Sequence, residues 1–462
     1  MVSMTLPSKV EYILDVLMDK GFEAYAVGGC VRDTVLGRIP GDWDITTSAR
    51  PEEVKDLFPR TLDTGIQHGT VTVMLDKEGF EVTTYRIDGV YEDSRHPKQV
   101  SFTSNLIEDL RRRDFTINAM AYNHKDGLVD AFEGLQDIEK KIIRCVGNPK
   151  ERFEEDALRM LRAVRFAAQL GFSMEQNTKD AISRMAPSLV KISQERVRVE
   201  LDKLLMAKSP KLLLEAAALG ITKVVLPEFD AMQEQEQLNP HHIYSLGMHA
   251  LASVTACNEY LETKGGWISK HTQIDKKLHS IFCWTLLLHD VGKPATHSAD
   301  ENGVDHFYGH VFLGADQSKK ILSRLKFDNY TIDLAARLIK WHDYPLPIDE
   351  RKLRRAASKI GPDIMEYLFF IKRMDIYAKN PDGIDANILQ LEQVVELYDK
   401  IILQKNCLTI KELAINGKDI MRETNIPAGP RIGEILSCLL EQVLEEPEKN
   451  TKETLLNLIP KE

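Results

Sequence analysis

"AVGGCVRDTVLGRIPGDWDITT", residues 26–47, decides how the N-terminal part of this chain folds. "FEAYAV" (22–27) reads as a strand that runs into Gly28 and Gly29, and "VRDTVLG" (31–37) as a short helix. A glycine pair between a strand and a helix lets the backbone approach a ligand closely. The exposed N–H groups and the helix dipole then favour an anion there. "DWDITT" (42–47) reads as a second strand. Side chains alternate along a strand, so Asp42 and Asp44 are expected on one face and Trp43 on the other. Two carboxylates on one face suit Mg²⁺, which prefers oxygen ligands and adds substrate phosphate oxygens. Two such ions about 3.5–4 Å apart stabilise the attacking and leaving oxygens of a displacement. The plainer reading is a turn with surface aspartates. The phosphate cradle and carboxylate pair together point instead to nucleotidyl transfer.

Working outward, "KVEYILDVLMDKG" (9–21) has helical periodicity and a closing glycine, and Pro51 suits the first turn of a helix. "TVTVMLD" and "FEVTTYR", joined by Lys77, Glu78 and Gly79, read as a hairpin. Glu81 fits equally a third metal carboxylate or a surface residue. "EEDALRMLRAVRFAAQLGF" (154–172) reads as one amphipathic helix closed by Gly171, followed by the helical "SQERVRVELDKLLMA" and "KLLLEAAALG". "PEFDAMQEQEQLNP" (227–240) is polar and bounded by prolines, which places a boundary there. Residues 241–380 are histidine-rich and helical, and residues 381–462 add further helices.

The 462 residues exceed one core, so several domains are expected. Hydrophobic residues at 43% and charged ones at 28% make an ordinary globular balance. No long uncharged apolar run or signal peptide is evident, so no membrane partner and a cytoplasmic location are expected. Six scattered cysteines without a CxxC pair argue for a reduced compartment. The net charge of −10 disfavours sequence-independent nucleic-acid binding. It hides a basic patch, however: Arg111 to Arg113, then Arg152, Arg159, Arg162 and Arg165.

Within one helix, Asp156 and Arg159 at i and i+3 would share a face. An intrahelical ion pair is the bland account. The chemical account is more particular. Cytosine and adenine each present an amino donor beside a ring-nitrogen acceptor, which a carboxylate beside a guanidinium complements. Such a pair accepts C and A and rejects U and G.

"GGCVRD…DWD", "RRRDFTINAMAY" and "EEDALRMLRAVRFAAQLGF" occur in order over the first 225 residues or so. Together they resemble bacterial class II CCA-adding tRNA nucleotidyltransferases and poly(A) polymerases, in the DNA polymerase β superfamily. "ELAINGKDIM…PAGPRIGEIL" resembles the tail of members that carry an HD domain. The resemblance implies an α+β chain. A nucleotidyltransferase head with a mixed sheet (1–146) precedes an all-α neck (147–228), HD domain (229–382) and tail (383–462), with tRNA lying along the helical part. It also implies that Asp42 and Asp44 hold Mg²⁺. Gly28, Gly29, Arg32 and Asp33 would shape the triphosphate pocket, with Asp33 orienting Arg32. Arg113, Asp114 and Asn118 would contact ribose and phosphates. Asp156 and Arg159 would template the base, and Arg162 would support nucleotide placement. The expected partners are tRNA, CTP and ATP, and the expected state a monomer or homodimer. The runners-up are an A-adding enzyme or poly(A) polymerase and, from another class, an HD phosphohydrolase whose head only binds RNA.

His289-Asp290 stands between "LLL" and "VGK", with His249 before it and His310, His342 and Asp375 after it. A lone helical histidine is usually a packing residue, but this set suits a Mn, Fe, Ni or Mg centre. It resembles an HD phosphohydrolase domain. By that resemblance His249, His289, Asp290 and Asp375 are the core ligands, and His310 and His342 the extra ligands of two-metal members. A degenerate domain kept as scaffold is the competing account.

Overall fold

Gly28 takes a left-handed backbone, φ +83°, directly after the buried strand β1 (Ala24–Val27) and before helix α2 (Gly29–Val35). These coordinates come from a computed structural model, which describes residues 4–88, 100–235, 245–301, 305–379, 383–424 and 426–459. The chain divides into two compact units, Met1–Asp230 and Ala231–Glu462. The polar stretch read as a boundary lies across this division, and its residues 236–240 fall outside the described ones.

The first unit starts with α1 (Ser8–Asp19), whose apolar stripe Val10, Ile13, Leu14 and Leu17 is buried. Behind β1 come β2 (Ile45–Thr47) and α3 (Pro51–Leu57). Strands β3 (Thr61–Gly65), β4 (Thr70–Leu75) and β5 (Glu78–Thr84) follow, then a small antiparallel ribbon of β6 (Arg86–Asp88) with β7 (Val100–Phe102). Helix α4 (Leu106–Arg111), strands β8 (Ala121–Asn123) and β9 (Gly127–Val129) and helix α5 (Gly134–Lys140) complete the α/β part. Seven strands form one mixed sheet in the order β3-β4-β5-β2-β1-β8-β9, and only β2 and β5 run parallel. Its core includes Val27, Tyr85, Leu110, Ala121 and Val146. Helices then take over. This mixed head with a helical remainder is the α+β class that the sequence predicts.

Three local expectations change. Asp42 and Asp44 lie before β2, not within it. The backbone still follows the ladder, because Val27 N–H donates to the Asp44 carbonyl at 2.9 Å. The β4–β5 hairpin turns at Asp76-Lys77, with Leu75 paired to Glu78; both turn residues have positive φ, +48° and +72°. Such a two-residue turn matches the twist of the strands it joins. Glu78 and Gly79 therefore belong to β5. The single helix expected over 154–172 is two helices. α6 (Pro149–Glu155) ends at Asp156, whose backbone is extended (φ −146°, ψ +103°), and α7 (Leu158–Leu170) starts anew. The Asp156 carboxylate accepts from Leu158 N–H at 3.1 Å and so opens α7, a habit that disfavours Asp inside helices.

The second unit is helical. Every residue of the Lys276–Leu288 helix from Ser280 to Leu288 is buried, so this helix is its axis. The Leu246–Thr263 helix packs along it, as do Asn329–Trp341 and Met365–Tyr377, and His310–Arg324 packs on Asn329–Trp341. Beyond these come Glu350–Ile360, Ile384–Leu403 and Pro430–Glu445. No helix among the described residues is long and apolar enough to cross a membrane.

Gly134 marks a tight point of the first unit. A Cβ there would lie 2.5 Å from the Thr116 carbonyl and 2.9 Å from Met120 Cγ. Gly134→Ala is expected to destabilise this unit by about 1–3 kcal/mol. The midpoint of thermal unfolding should fall by roughly 2–4 °C per kcal/mol. An unchanged midpoint contradicts the packing described.

Candidate active site and metal centre

Sheet register assembles the carboxylates. β2 runs antiparallel to β1 with Ala26 opposite Ile45, so Asp44 falls beside Val27, at the end of β1 where Gly28 turns away. β5 runs parallel to β2 with Ile45 opposite Val82. Glu81, one residue before Val82, therefore stands beside Asp44. The side chains of Asp42, Asp44 and Glu81 reach solvent at the surface. The protein around them still raises the Asp44 and Glu81 carboxyls above their ordinary range. Desolvation is the main cause for both. Asp42 adds to the rise at Asp44 while Arg113 opposes it, and Asp44 and Asp42 add to the rise at Glu81. Negative charge is concentrated where a divalent cation would relieve it, so these residues fit Mg²⁺.

Arg113 closes the other side. A Cβ on Gly28 would lie 2.9 Å from its Nη1, so the missing side chain makes room for the guanidinium. Arg113 Nη2 is 3.6 Å from the buried Asp109, while its buried Nε makes no hydrogen bond.

Behind this surface runs one chain of polar groups, buried at Arg32, Asn118 and Asp114 and half-buried at Asp33 and Arg162. Arg32 forks onto Asp33, with both oxygens within 2.9 Å, and donates to Asn118 Oδ1 at 2.7 Å. Asn118 Nδ2 donates to Asp114 at 3.1 Å, and Arg162 donates twice to Asp114, at 2.6 and 2.8 Å. Phe166 lies under the guanidinium groups of Arg32 and Arg162, 5.1 and 5.3 Å from its centroid. Burial alone would raise the Asp114 carboxyl. The Arg162 and Arg159 charges and the Asn118 bond overcome it and hold the carboxyl well below the ordinary range. Asp114 is the hub of this network.

The Asp156 and Arg159 side chains do not form a helical i, i+3 ion pair, because the helix breaks at Asp156; their backbones are joined, with Arg159 N–H donating to the Asp156 carbonyl at 3.0 Å. Asp156 instead accepts from Arg196 at 2.6 and 3.2 Å. Arg159 donates to Glu155 at 2.5 Å and to the carbonyls of Arg112 and Arg152. Glu155 and Arg196 hold the two groups from behind, and the sequence reading passed over both. Glu155 lies inside the motif itself. Arg196 is forty residues away, beyond any local signal.

In the second unit the six His and Asp residues converge. His249 Nε2 is 2.9 Å from Asp375 Oδ1, and His289 Nε2 is 3.3 Å from Asp290 Oδ2 and 3.7 Å from Asp375. His310 and His342 bring their Nε2 atoms to 3.7 and 3.6 Å from Asp290 Oδ1. Three of the rings bond Nδ1 to the carbonyl three residues earlier: His289 to Leu286, His310 to Phe307 and His342 to Ile339, at 2.7–2.8 Å. That bond puts the proton on Nδ1 and leaves a lone pair on Nε2. His289 Nε2 is buried without a hydrogen bond. Four inward imidazoles and two carboxylates fit a divalent metal centre. Lys293 and Lys379, missed in the sequence, pair with Asp290 at 2.8 Å and with Asp375 at 2.7 Å. Their i+3 and i+4 spacing from those aspartates was a usable signal. The Lys293 charge, foremost, holds Asp290 well below the ordinary carboxylate range, although burial acts to raise it. The groups open into a cavity of about 520 Å³ that Trp341 and Phe312 also line.

Three family profiles match the chain: the Poly A polymerase head domain over residues 24–144, the probable RNA and SrmB-binding site of polymerase A over 171–233, and tRNA nucleotidyltransferase domain 2 (putative) over 310–459. The CCA-adding enzyme of Lactiplantibacillus plantarum is 35% identical over 452 residues, covering 96% of this chain and 94% of that one. This chain belongs to the CCA-adding enzyme family. The Streptococcus mutans relative is 33% identical over 99% of this chain and 98% of its own length. The Leuconostoc mesenteroides relative is 55% identical, over 205 residues that make up 44% of this chain and 51% of that one. Among solved structures, the Bacillus stearothermophilus CCA-adding enzyme in complex with CTP matches with a TM-score of 0.68 and 29% identity, covering 98% of this chain and 97% of that one.

Proposed function

We propose that the first unit adds C, C and A to tRNA 3′ ends from CTP and ATP, with Asp42, Asp44 and Glu81 holding Mg²⁺. The register that sets Asp44 and Glu81 side by side next to Gly28 carries this reading. Bound there, Mg²⁺ supplies charge stabilisation for the attacking and leaving oxygens as the 3′-hydroxyl displaces pyrophosphate from the α-phosphate. Gly28, whose own N–H donates to the Met120 carbonyl at 3.1 Å, lets the backbone come close to the triphosphate, Gly29 at the start of α2 presents its N–H there, and Arg113 adds a cation at the same edge. Arg32, Asp33, Asn118, Asp114 and Arg162 form the rigid wall behind the nucleotide. Asp156 accepts from the amino group of cytosine or adenine, and Arg159 donates to the neighbouring ring nitrogen. Glu155 and Arg196 position them. The curated relatives that span the chain are named CCA-adding enzymes, which favours this reading over A-only or poly(A) addition.

Asp42→Ala or Asp44→Ala is expected to cut nucleotide addition by at least about 10²–10³-fold while circular dichroism is unchanged. The assay offers tRNA transcripts ending before C, after C and after CC, each with one labelled nucleotide. Near-normal addition by either variant in excess Mg²⁺ rules out the metal role.

Wild type should use CTP and ATP and hardly UTP or GTP. Asp156→Ala and Arg159→Ala should each lower the rate and narrow that preference by roughly tenfold or more, the worth of one or two hydrogen bonds. A variant that is slow but equally selective assigns base choice to other residues. Use of ATP alone on every transcript replaces CCA addition by A addition.

The second unit carries its own chemistry in this reading: hydrolysis of a phosphoester at RNA ends, with 2′,3′-cyclic phosphate the first choice. His249, His289, Asp290 and Asp375 would hold one divalent metal, with His310 and His342 completing a larger set. Held by these residues, a divalent metal would supply the Lewis acidity that makes bound water a nucleophile toward phosphorus. The inward Nε2 lone pairs support this, and Lys293 and Lys379 bring cations to the mouth of the cavity. A His289→Ala, Asp290→Ala variant should still extend tRNA within about twofold, because metal ligands act through local coordination. It should lose hydrolysis of 2′,3′-cyclic nucleotides in Ni²⁺, Mn²⁺ or Mg²⁺. Collapse of extension in a folded variant shows that the two activities are coupled. No hydrolysis by wild type with any of these metals makes the centre a scaffold.

A further inference from the structure

A second group of metal-ligating side chains lies between the same two helices and has no part in the reactions above. Cys257 and Asn258 stand on the Leu246–Thr263 helix, two turns beyond His249. His279 and Cys283 stand four residues apart on the Lys276–Leu288 helix and so share one face of it. One ligand atom from each of Cys257, His279 and Cys283 lies within 4.8 Å of the others. Both sulfurs belong to fully buried residues, while His279 is partly exposed. Asn258 Oδ1 faces the same point, 2.7 Å from His279 Nε2 and 3.4 Å from Cys283 Sγ.

We propose that Cys257, His279 and Cys283 bind one thiophilic divalent cation of the zinc class, with the Asn258 side-chain oxygen as fourth donor. Two sulfurs, one imidazole and one oxygen make a borderline-soft tetrahedral set. Zinc–sulfur and zinc–nitrogen bonds of about 2.3 and 2.0–2.1 Å set neighbouring ligand atoms about 3.5–4 Å apart, so small side-chain rotations close the site. The surroundings suit a structural ion. Val254, Ile281, Phe282, Trp284 and Leu286 are all buried, so this is a polar cluster within an apolar helix seam. Partly exposed His279 gives the ion a way in. The ion would clamp the helix that carries His249 to the helix that ends at His289-Asp290. The site differs in kind from the His/Asp centre, which offers only nitrogen and oxygen, and it does not depend on that centre being active.

Cobalt distinguishes the two sites, because only thiolate ligands give Co²⁺ an intense sulfur-to-metal charge-transfer band in the near ultraviolet. Full-length protein, expressed with zinc and dialysed without chelator, should retain about one equivalent of zinc that Asp290→Asn does not remove. After exchange, Co²⁺ should show the thiolate band in wild type and in Asp290→Asn. A Cys257→Ser, Cys283→Ser variant should lose the band and the zinc equivalent while extending tRNA within about twofold. Cobalt-loaded wild type without the band overturns the proposal, and needs no variant to fold. So does a cysteine variant that keeps its zinc. Thiol titration in denaturant that finds Cys257 and Cys283 joined as a disulfide also overturns it.

Discussion

The pairing of β2 with both β1 and β5 is the constraint on which the head depends. Antiparallel pairing to β1 returns Asp44 to the edge where Gly28 leaves the sheet. Parallel pairing to β5 brings Glu81, 37 positions later in the chain, to the same edge. A slip of one residue in either ladder would turn these side chains to the opposite face. Full burial of β2 and of Val71, Val73 and Val82 defends the register, because a slip would also turn core side chains outward. Carboxylates that repel one another are thus held together by apolar packing elsewhere in the strands.

The wall behind them obeys a different economy. Arg32, Asn118, Asp114 and Arg162 are polar groups in a poorly solvated place, and the three that donate all do so within this set or to Asp33. Buried ion pairs of this kind contribute little net stability, since desolvation offsets attraction. Removing one member is what costs, because its partner stays buried and unpaired. The benefit is geometric. A guanidinium held by two or three bonds and resting on Phe166 cannot drift, so a nucleotide meets a fixed surface and loses little further freedom on binding. Glu155 and Arg196 do the same for Arg159 and Asp156, and they explain why these two side chains need no ion pair with each other. Each keeps hydrogen-bonding capacity that an internal pair would have consumed.

Much of this was legible in the residues. The glycine turn, the i, i+2 aspartates and the scattered cysteines follow from local rules, which act over a few residues, and the α+β class followed from the family resemblance. What escaped is non-local or depends on competition between local rules. Glu81 could not be decided without the ladder that sets it beside Asp44. Apolar periodicity runs unbroken through Asp156, so the pattern spoke for one helix; the preference of Asp for capping the next turn won. Asp76-Lys77 lacks the Asn-Gly signature of a two-residue turn, and strand pairing on either side imposed the left-handed backbone instead. Cys257 and Cys283 showed no motif spacing because their proximity arises from two helices packing side by side.

The His-Asp dipeptide has a physical sense beyond its resemblance to a motif. His289 caps the Lys276–Leu288 helix, and His342 caps Asn329–Trp341 in the same way. The last carbonyls of a helix have no partner within it. A histidine at this position bonds Nδ1 to the carbonyl three residues back, as both rings do, and thereby satisfies the helix end. That bond fixes the tautomer and aims Nε2 away from the helix end. The following residue has already left the helix, so Asp290 can reach the point that Nε2 faces. One turn of backbone therefore supplies an oriented nitrogen and a carboxylate with no separate scaffold. His342-Asp343 repeats the arrangement on a second helix, and Asp343 also lines the cavity. Two helix ends thus supply His289, Asp290 and His342, three of the six groups that would hold a divalent cation, and the carbonyls that would otherwise be orphaned hold both rings in place.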